Sequence, residues 1–248
     1  MIPLFKSDFS IGKSILRIDR DSYENGNPNN IFNILRENNL NQLFLVEDTM
    51  CGFLEARKNS IDLGINFIFG LRISLCEDED CEIFHKIIVF SKNSNGCKLL
   101  NKISTYINLE NNGVIKLNDL KDFWNSQHLS LFIPFYDSFI YQNIMSFSSV
   151  FVDLSFFNPT FLIESNDLPF DDLIKGSVLK YCNNNSFNLM NCKSIFYKNY
   201  NDFEAYQSYK CICNRNFSSK SVSLESPNLE HCSSNKFCFE DYTKYESS

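Results

Sequence analysis

The side chains best placed to do chemistry are carboxylates at the ends of apolar runs. Glu47 and Asp48 follow the run 43–46, Asp137 follows the run 129–133, and Asp153 lies inside the run 150–154. Barrel enzymes set their reacting groups at the C-terminal ends of strands, so these acids are candidates for holding a metal or moving a proton. The plainer role for Glu47-Asp48 is a solvated loop or an acid at a helix start. Histidine occurs three times, at His85, His128 and His231, too few for a histidine-rich metal cage. The ten cysteines contain no C-x-x-C pair, and the closest spacings, Cys76-x4-Cys81 and Cys211-x-Cys213, lack the doubled pattern of structural zinc. With no secretory leader in the sequence, they read as reduced thiols, many of them core filler. The acidic run 77–82 reads as a solvated loop rather than a calcium site. No phosphate-cradling G-x-x-x-x-G-K-[ST] or G-x-G-x-x-G occurs, and no G-x-S-x-G nucleophile elbow.

The elements that must position these groups alternate short apolar runs with amphipathic stretches, the pattern of an α/β chain. Strands are predicted at 2–5, 42–46, 65–69, 84–90, 129–133 and 150–154. Helices are predicted at 30–35, 53–63, 96–108, 140–145, 167–181 and 201–213, with 214–232 a Ser- and Asn-rich loop. Gly64 sits where a helix C-cap belongs, so 42–69 forms a β-α-β unit whose strands run parallel. The count suits a barrel or an open doubly wound sheet.

Composition bounds the class. The chain has 248 residues, 44% of them apolar, and a formal net charge of −7, which argues against a domain whose main task is gripping phosphates. No run of eighteen apolar residues is present, so a spanning helix is not expected, and a cytoplasmic location is. Alanine occurs twice, while Asn, Ile, Lys and Phe are abundant. That bias is the mark of an AT-rich genome, such as a reduced bacterial symbiont or a phage, and it gives a core of Phe, Ile and Leu with few small spacers.

Several segments, in order, resemble the polymerase-and-histidinol-phosphatase (PHP) domain of bacterial replicative DNA polymerase III α subunits. Lys6-Ser7-Asp8-Phe9-Ser10 resembles the opening His-Ser-Asp-Tyr-Ser. Leu45-Val46-Glu47-Asp48-Thr49-Met50-Cys51-Gly52 resembles a strand end carrying Thr-Asp-His-Gly. Gly64-Ile65-Asn66-Phe67-Ile68-Phe69-Gly70 is similar to Gly-Ile-Lys-Pro-Ile-x-Gly, and the stretch from His85 to Gly96 to His-Leu-x-x-Leu-Ala-x-Asn-x-x-Gly. Ser194-Ile195-Phe196-Tyr197, with Asn199, Asp202, Glu204, Ala205 and Cys211-Ile212, resembles the late Asp-Val-His-Tyr motif. Lys236-Phe237-Cys238-Phe239-Glu240-Asp241-Tyr242 falls where the family has a short strand before an acidic helix.

The resemblance implies one domain over residues 1–248 with a distorted TIM-like (β/α)7 barrel in 1–213, the remainder leading toward a polymerase core. It also implies a decayed metal site. An active member holds up to three metal ions on His, Cys and carboxylate ligands, but the matching positions here are Leu4, Lys6, Glu47, Asp48, Arg72, His85, Phe135, Ser194 and Phe196. Leucine and phenylalanine donate nothing, and Lys6 and Arg72 repel a divalent cation. No catalytic residue and no metal cofactor is therefore expected, with at most one weakly bound divalent ion on Glu47, Asp48 and His85. The implied function is a catalytically inactive scaffold in DNA replication that supports the polymerase core and docks the proofreading exonuclease, touching DNA only indirectly and no membrane. Nucleotidyl transfer in the family belongs to a separate domain. The alternative is a metal-dependent phosphoesterase of the same family, working through Glu47, Asp48 and His85.

Overall fold

The computed structural model describes residues 1–77, 84–111, 113–147, 149–213 and 234–246. In chain order the strands are β1 (Ile2–Phe5), β2 (Gln42–Glu47), β3 (Asn66–Cys76), β4 (His85–Ser91), β5 (Val114–Lys116), β6 (Leu129–Ile133), β7 (Thr160–Ile163) and β8 (Asn188–Ile195). The helices are α1 (Arg20–Glu24), α2 (Ile31–Glu37), α3 (Phe53–Asp62), α4 (Ser94–Glu110), α5 (Leu117–Phe123), α6 (Phe139–Met145), α7 (Asp171–Asn185), α8 (Phe203–Cys213) and α9 (Phe239–Glu246).

Among the described residues, seven strands close a barrel in the order β2-β1-β8-β7-β6-β4-β3, with β3 pairing back onto β2 and β5 attached to the far end of β3. The closure removes the doubly wound alternative. Six of the seven run parallel to one another, while β4 runs antiparallel to both its neighbours, β3 and β6. The predicted β-α-β unit is present, since β2 and β3 pair in parallel with Phe44 opposite Ile68. Gly64 ends the turn after α3 at φ +66, a conformation that a β-carbon disfavours.

Because successive strand residues point to opposite faces, each strand supplies one row to the lumen and one to the surrounding helices. The lumen row is Leu4, Val46, Ile88, Phe90, Leu162 and Cys192, joined by Ile2, Phe44, Ile68 and Phe132. Phe90 fills so much of this space that a β-carbon on Gly70 would lie 2.7 Å from its ring. The outward row, including Phe5, Leu45, Phe69, Leu71, Val89, Leu131 and Ile195, forms the larger core under the helices. Phe5 stacks on Phe239, and Phe237 on Phe196, so the 234–246 segment closes this outer layer.

Three expectations change. Residues 150–154 form no strand; Val152 and Leu154 are buried, but the chain turns through a 3-10 segment at Ser155–Phe157, and the barrel strand is β7. Asp153 is therefore an exposed loop acid whose carboxylate accepts from the Ser155 amide at 3.0 Å and its hydroxyl at 2.6 Å. In the 236–242 segment, Cys238 makes an isolated bridge with Tyr197 and α9 follows directly. Among the described residues Cys51, Cys97, Cys182, Cys192, Cys211, Cys213 and Cys238 are free thiols, whereas Cys76 is disulfide-bonded. The loop prediction for 214–232, most of the acidic run 77–82, and His231 lie outside the described residues.

Candidate functional site

The pleat that builds the lumen decides which polar residues meet at its mouth. Two residues on from Leu4 comes Lys6, two on from Val46 comes Asp48, and two on from Leu162 comes Glu164. Ile68, Gly70, Arg72 and Ser74 follow one another along the inner face of β3, and Lys86 precedes Ile88 on β4. One end of the barrel thus gathers polar groups from five strands around a cavity lined by Lys6, Arg72, Tyr136, Asp137, Glu164 and Ser194.

The charges there pair with one another. The buried Lys6 ammonium donates to an Asp48 carboxylate oxygen at 2.9 Å. The Arg72 guanidinium lies 3.6 Å from the same oxygen and donates to Asp137. Asp137 has a left-handed backbone, φ 63, and its carbonyl accepts from the Lys86 amide at 2.7 Å, which locks the β6–α6 turn against β4. Lys6 and Arg72 outweigh the burial of Asp48 and hold its carboxyl down at about 2, so it is ionised at neutral pH. Burial lowers the Lys6 ammonium pKa, assisted by the charge on Arg72 and opposed by Asp48.

Glu164, fully enclosed, accepts from the Ser194 amide at 3.0 Å, the Ser194 hydroxyl at 2.9 Å and the Asn166 amide group at 3.0 Å. Burial raises its carboxyl pKa despite those donors. The network continues outward through the Asn166–Tyr136 bond, 3.1 Å, to the Tyr136 hydroxyl, which donates to Asp171 at 2.9 Å.

The nine positions matched by resemblance divide by parity. Leu4, Lys6, Arg72, Ser194 and Phe196 line the mouth cavity, and Asp48 is bound to two of them. Glu47 and His85 do not join them. Glu47 points away from the lumen, where the Ser7 amide at 2.8 Å and the Ser10 hydroxyl hold its carboxylate. Ser10 also accepts from the Asp48 amide at 3.0 Å, so this serine fixes the turn that separates the two acids. His85 is buried under α6 with its ring edge-on to Phe139 at 5.8 Å, and burial pushes its pKa down to about 4. Phe135 is fully buried against Tyr136, while its neighbours Pro134, Tyr136 and Asp137 form the cavity wall. The trio Glu47, Asp48 and His85 therefore occupies both faces of the barrel wall rather than one pocket. Among the described residues, no group of three or more His, Cys, Asp or Glu side chains is arranged to hold a metal ion.

Glu164, Lys13 and Lys86 belong to the mouth without having been singled out in the sequence. Glu164 was hidden with its strand. Lys86 lies two residues before Ile88 on the same face of β4, but the run Ile87–Phe90 is buried throughout, so no alternation marks it.

No protein-family model matches the chain, and no curated protein matches it. No helix among the described residues is long and apolar enough to cross a membrane.

Proposed function

We propose that the chain is the N-terminal PHP-like domain of a DNA polymerase III α subunit, a distorted TIM-like (β/α)7 barrel that is catalytically silent and serves as a scaffold in the cytoplasm. Its partners on this reading are the polymerase core and the proofreading exonuclease, with DNA contacted only through them. The observation that carries the reading is the ion-pair chain Lys6–Asp48–Arg72–Asp137 at the barrel mouth. Metal-assisted hydrolysis needs several anionic or imidazole donors around each ion to hold it and activate a water. In this chain a lysine ammonium and a guanidinium neutralise Asp48, leaving it few lone pairs and no net negative field for a divalent cation. Cross-linking strands β1, β2 and β3 through side chains keeps the barrel mouth closed without an ion, which is what a scaffold requires. The overall charge of −7 fits protein docking better than duplex binding.

Co-purification tests the proposal. Tagged protein, expressed with candidate polymerase core and exonuclease subunits from its own source, is expected to retain one or both through gel filtration. A monodisperse monomer that ignores both at micromolar concentration contradicts it.

A further inference from the structure

The barrel wall departs from regular strand–helix alternation at β3 and β4, and the departure leaves a gap in its outer layer. A parallel neighbour is reached by a crossover, whose helix covers the strand pair. β3 and β4 are antiparallel neighbours, and no described helix lies between them in the chain. α3 packs on β3 and α4 on β4, with a groove of about 300 Å³ between the two helices. It lies against the start of β3 and the end of β4, so it opens at the opposite end of the barrel from the mouth.

The floor of this groove is aromatic. Phe67 and Phe69 belong to the outward row of β3, and Phe53 of α3 meets their rings at 5.9 and 5.1 Å. Phe53 and Phe67 are only half-buried, which leaves ring surface open. Phe53, Arg57 and Ile61 follow one another up one side of α3 at four-residue spacing, and Lys92 and Cys97 stand across from them. Arg57 and Lys92 are the two charged residues of the lining. Arg57 is exposed, with no hydrogen-bond or ion-pair partner among the described residues. Lys92 spends one of its three donors on the Ser126 carbonyl at 2.8 Å. The acids of α3, Glu55 and Asp62, lie on another face of the helix, where both bond to Arg20.

An apolar hollow charged by two cations, in a chain of net charge −7, selects an anion with an apolar body. An engineered cavity of about 150 Å³ holds benzene, so this groove takes one ring with a short side chain. We propose that it binds a small free aryl carboxylic acid, the ring against Phe53, Phe67 and Phe69 and the carboxylate on Arg57 and Lys92. Edge-to-face contact with several rings favours an aromatic body over an aliphatic one, and the guanidinium fork matches the two carboxylate oxygens. No bond is made or broken. The inference is independent of the polymerase reading, since it uses neither the mouth nor its charges.

Three probes separate ring from charge: 3-phenylpropanoate, 3-phenylpropanol without the charge, and propanoate without the ring. Calorimetric titration of the full chain is expected to show saturable binding of 3-phenylpropanoate, with the other two weaker by about tenfold or more. Arg57→Gln is expected to weaken 3-phenylpropanoate about tenfold and, as an exposed and unpartnered position, to leave the melting temperature unchanged. Cys97 supplies a reading local to the groove. The bound acid is expected to slow its alkylation by iodoacetamide, followed by peptide mass mapping, while the exposed Cys51 and Cys213 react as before. Absence of saturable binding overturns the proposal, as does equal binding of the alcohol or of propanoate. An undiminished response in Arg57→Gln or an unprotected Cys97 overturns it too. Tighter binding of N-acetyl-alanyl-phenylalanine than of the free acid overturns it in favour of a protein C-terminus.

Discussion

Two lysine–aspartate pairs lie in the barrel wall, and they are built differently. Lys193 and Asp241 join β8 to α9 with both side chains almost wholly enclosed, at 1% and 3% exposure. The Lys193 ammonium also donates to the Ser165 carbonyl at 3.1 Å, and Asp241 also accepts from the Tyr200 hydroxyl and lies 3.3 Å from Lys236. That pair is saturated and sealed. Lys6 and Asp48 sit instead on the lumen side, Asp48 27% exposed, with Arg72 sharing the carboxylate and further cations beyond it. The first pair fastens the C-terminal helix to the barrel. The second borders a cavity, and its carboxylate is shared between Lys6 and Arg72. The contrast separates a sealed ion pair from an open one by what surrounds it, not by its own distance.

The largest expected effect breaks the sealed pair. Asp241→Ala strands a buried ammonium and should cost about 3–5 kcal/mol in urea unfolding, the usual loss when one partner of an enclosed pair is removed. Lys193→Met/Asp241→Leu should recover most of it, because no unpaired charge remains. If the double variant is as unstable as the single one, the pair does more than balance charge.

Acid sharpens the comparison next, through His85 on the outer face. Burial holds its pKa at about 4 against an ordinary 6.5, so the folded state disfavours the proton that the unfolded chain accepts. Its contribution is complete above pH 6.5 and is lost as the pH falls through 6.5 toward 4. Between pH 7.5 and 4.5 this amounts to about 2–3 kcal/mol. His85→Leu should flatten that part of the urea-stability profile. Asp48 responds in a separate, lower window. Its depressed carboxyl supports the fold above its ordinary pKa of 3.8, and that support is lost as the pH falls toward about 2.

Smaller changes are expected at the mouth. Asp48→Asn leaves Lys6 and Arg72 without their shared anion, and should cost about 1–2 kcal/mol because solvent reaches the site. Lys6→Met keeps the Asp48–Arg72 contact and removes a buried charge, so its effect on urea stability should stay below about 1 kcal/mol. Equal losses for Asp48→Asn and Asp241→Ala would erase the distinction between the two pairs.

Much of the barrel was legible because its outer rows are strongly apolar. The runs at 42–46 and 129–133 and the helix ended by Gly64 follow from periodicity and turn chemistry. β8 escaped because its first half, Asn188–Asn191, is exposed, and its later residues include the enclosed Lys193, so no alternation is visible. β7 lost out to the residues 150–154, where Val152 and Leu154 are buried without joining the sheet. At the site, resemblance located Lys6, Asp48 and Arg72, but it also grouped Glu47 and His85 with them. Strand parity separates those two, and parity can be read only once the strand ends are known. Asp137 was noticeable as an acid after a strand, while its partner Arg72 is sixty-five positions away and reached only by closing the barrel.

The proposed reading turns on Lys6 and Arg72 pairing with Asp48 at the barrel mouth, where active members of the proposed family hold their metal cluster. Manganese titration followed by electron paramagnetic resonance measures this directly, with Asp48→Ala as the comparison. The expected result is that added manganese stays in its free, six-line form at micromolar concentrations, equally for parent and variant. Two or more tightly bound ions per chain, lost in Asp48→Ala, would contradict the account.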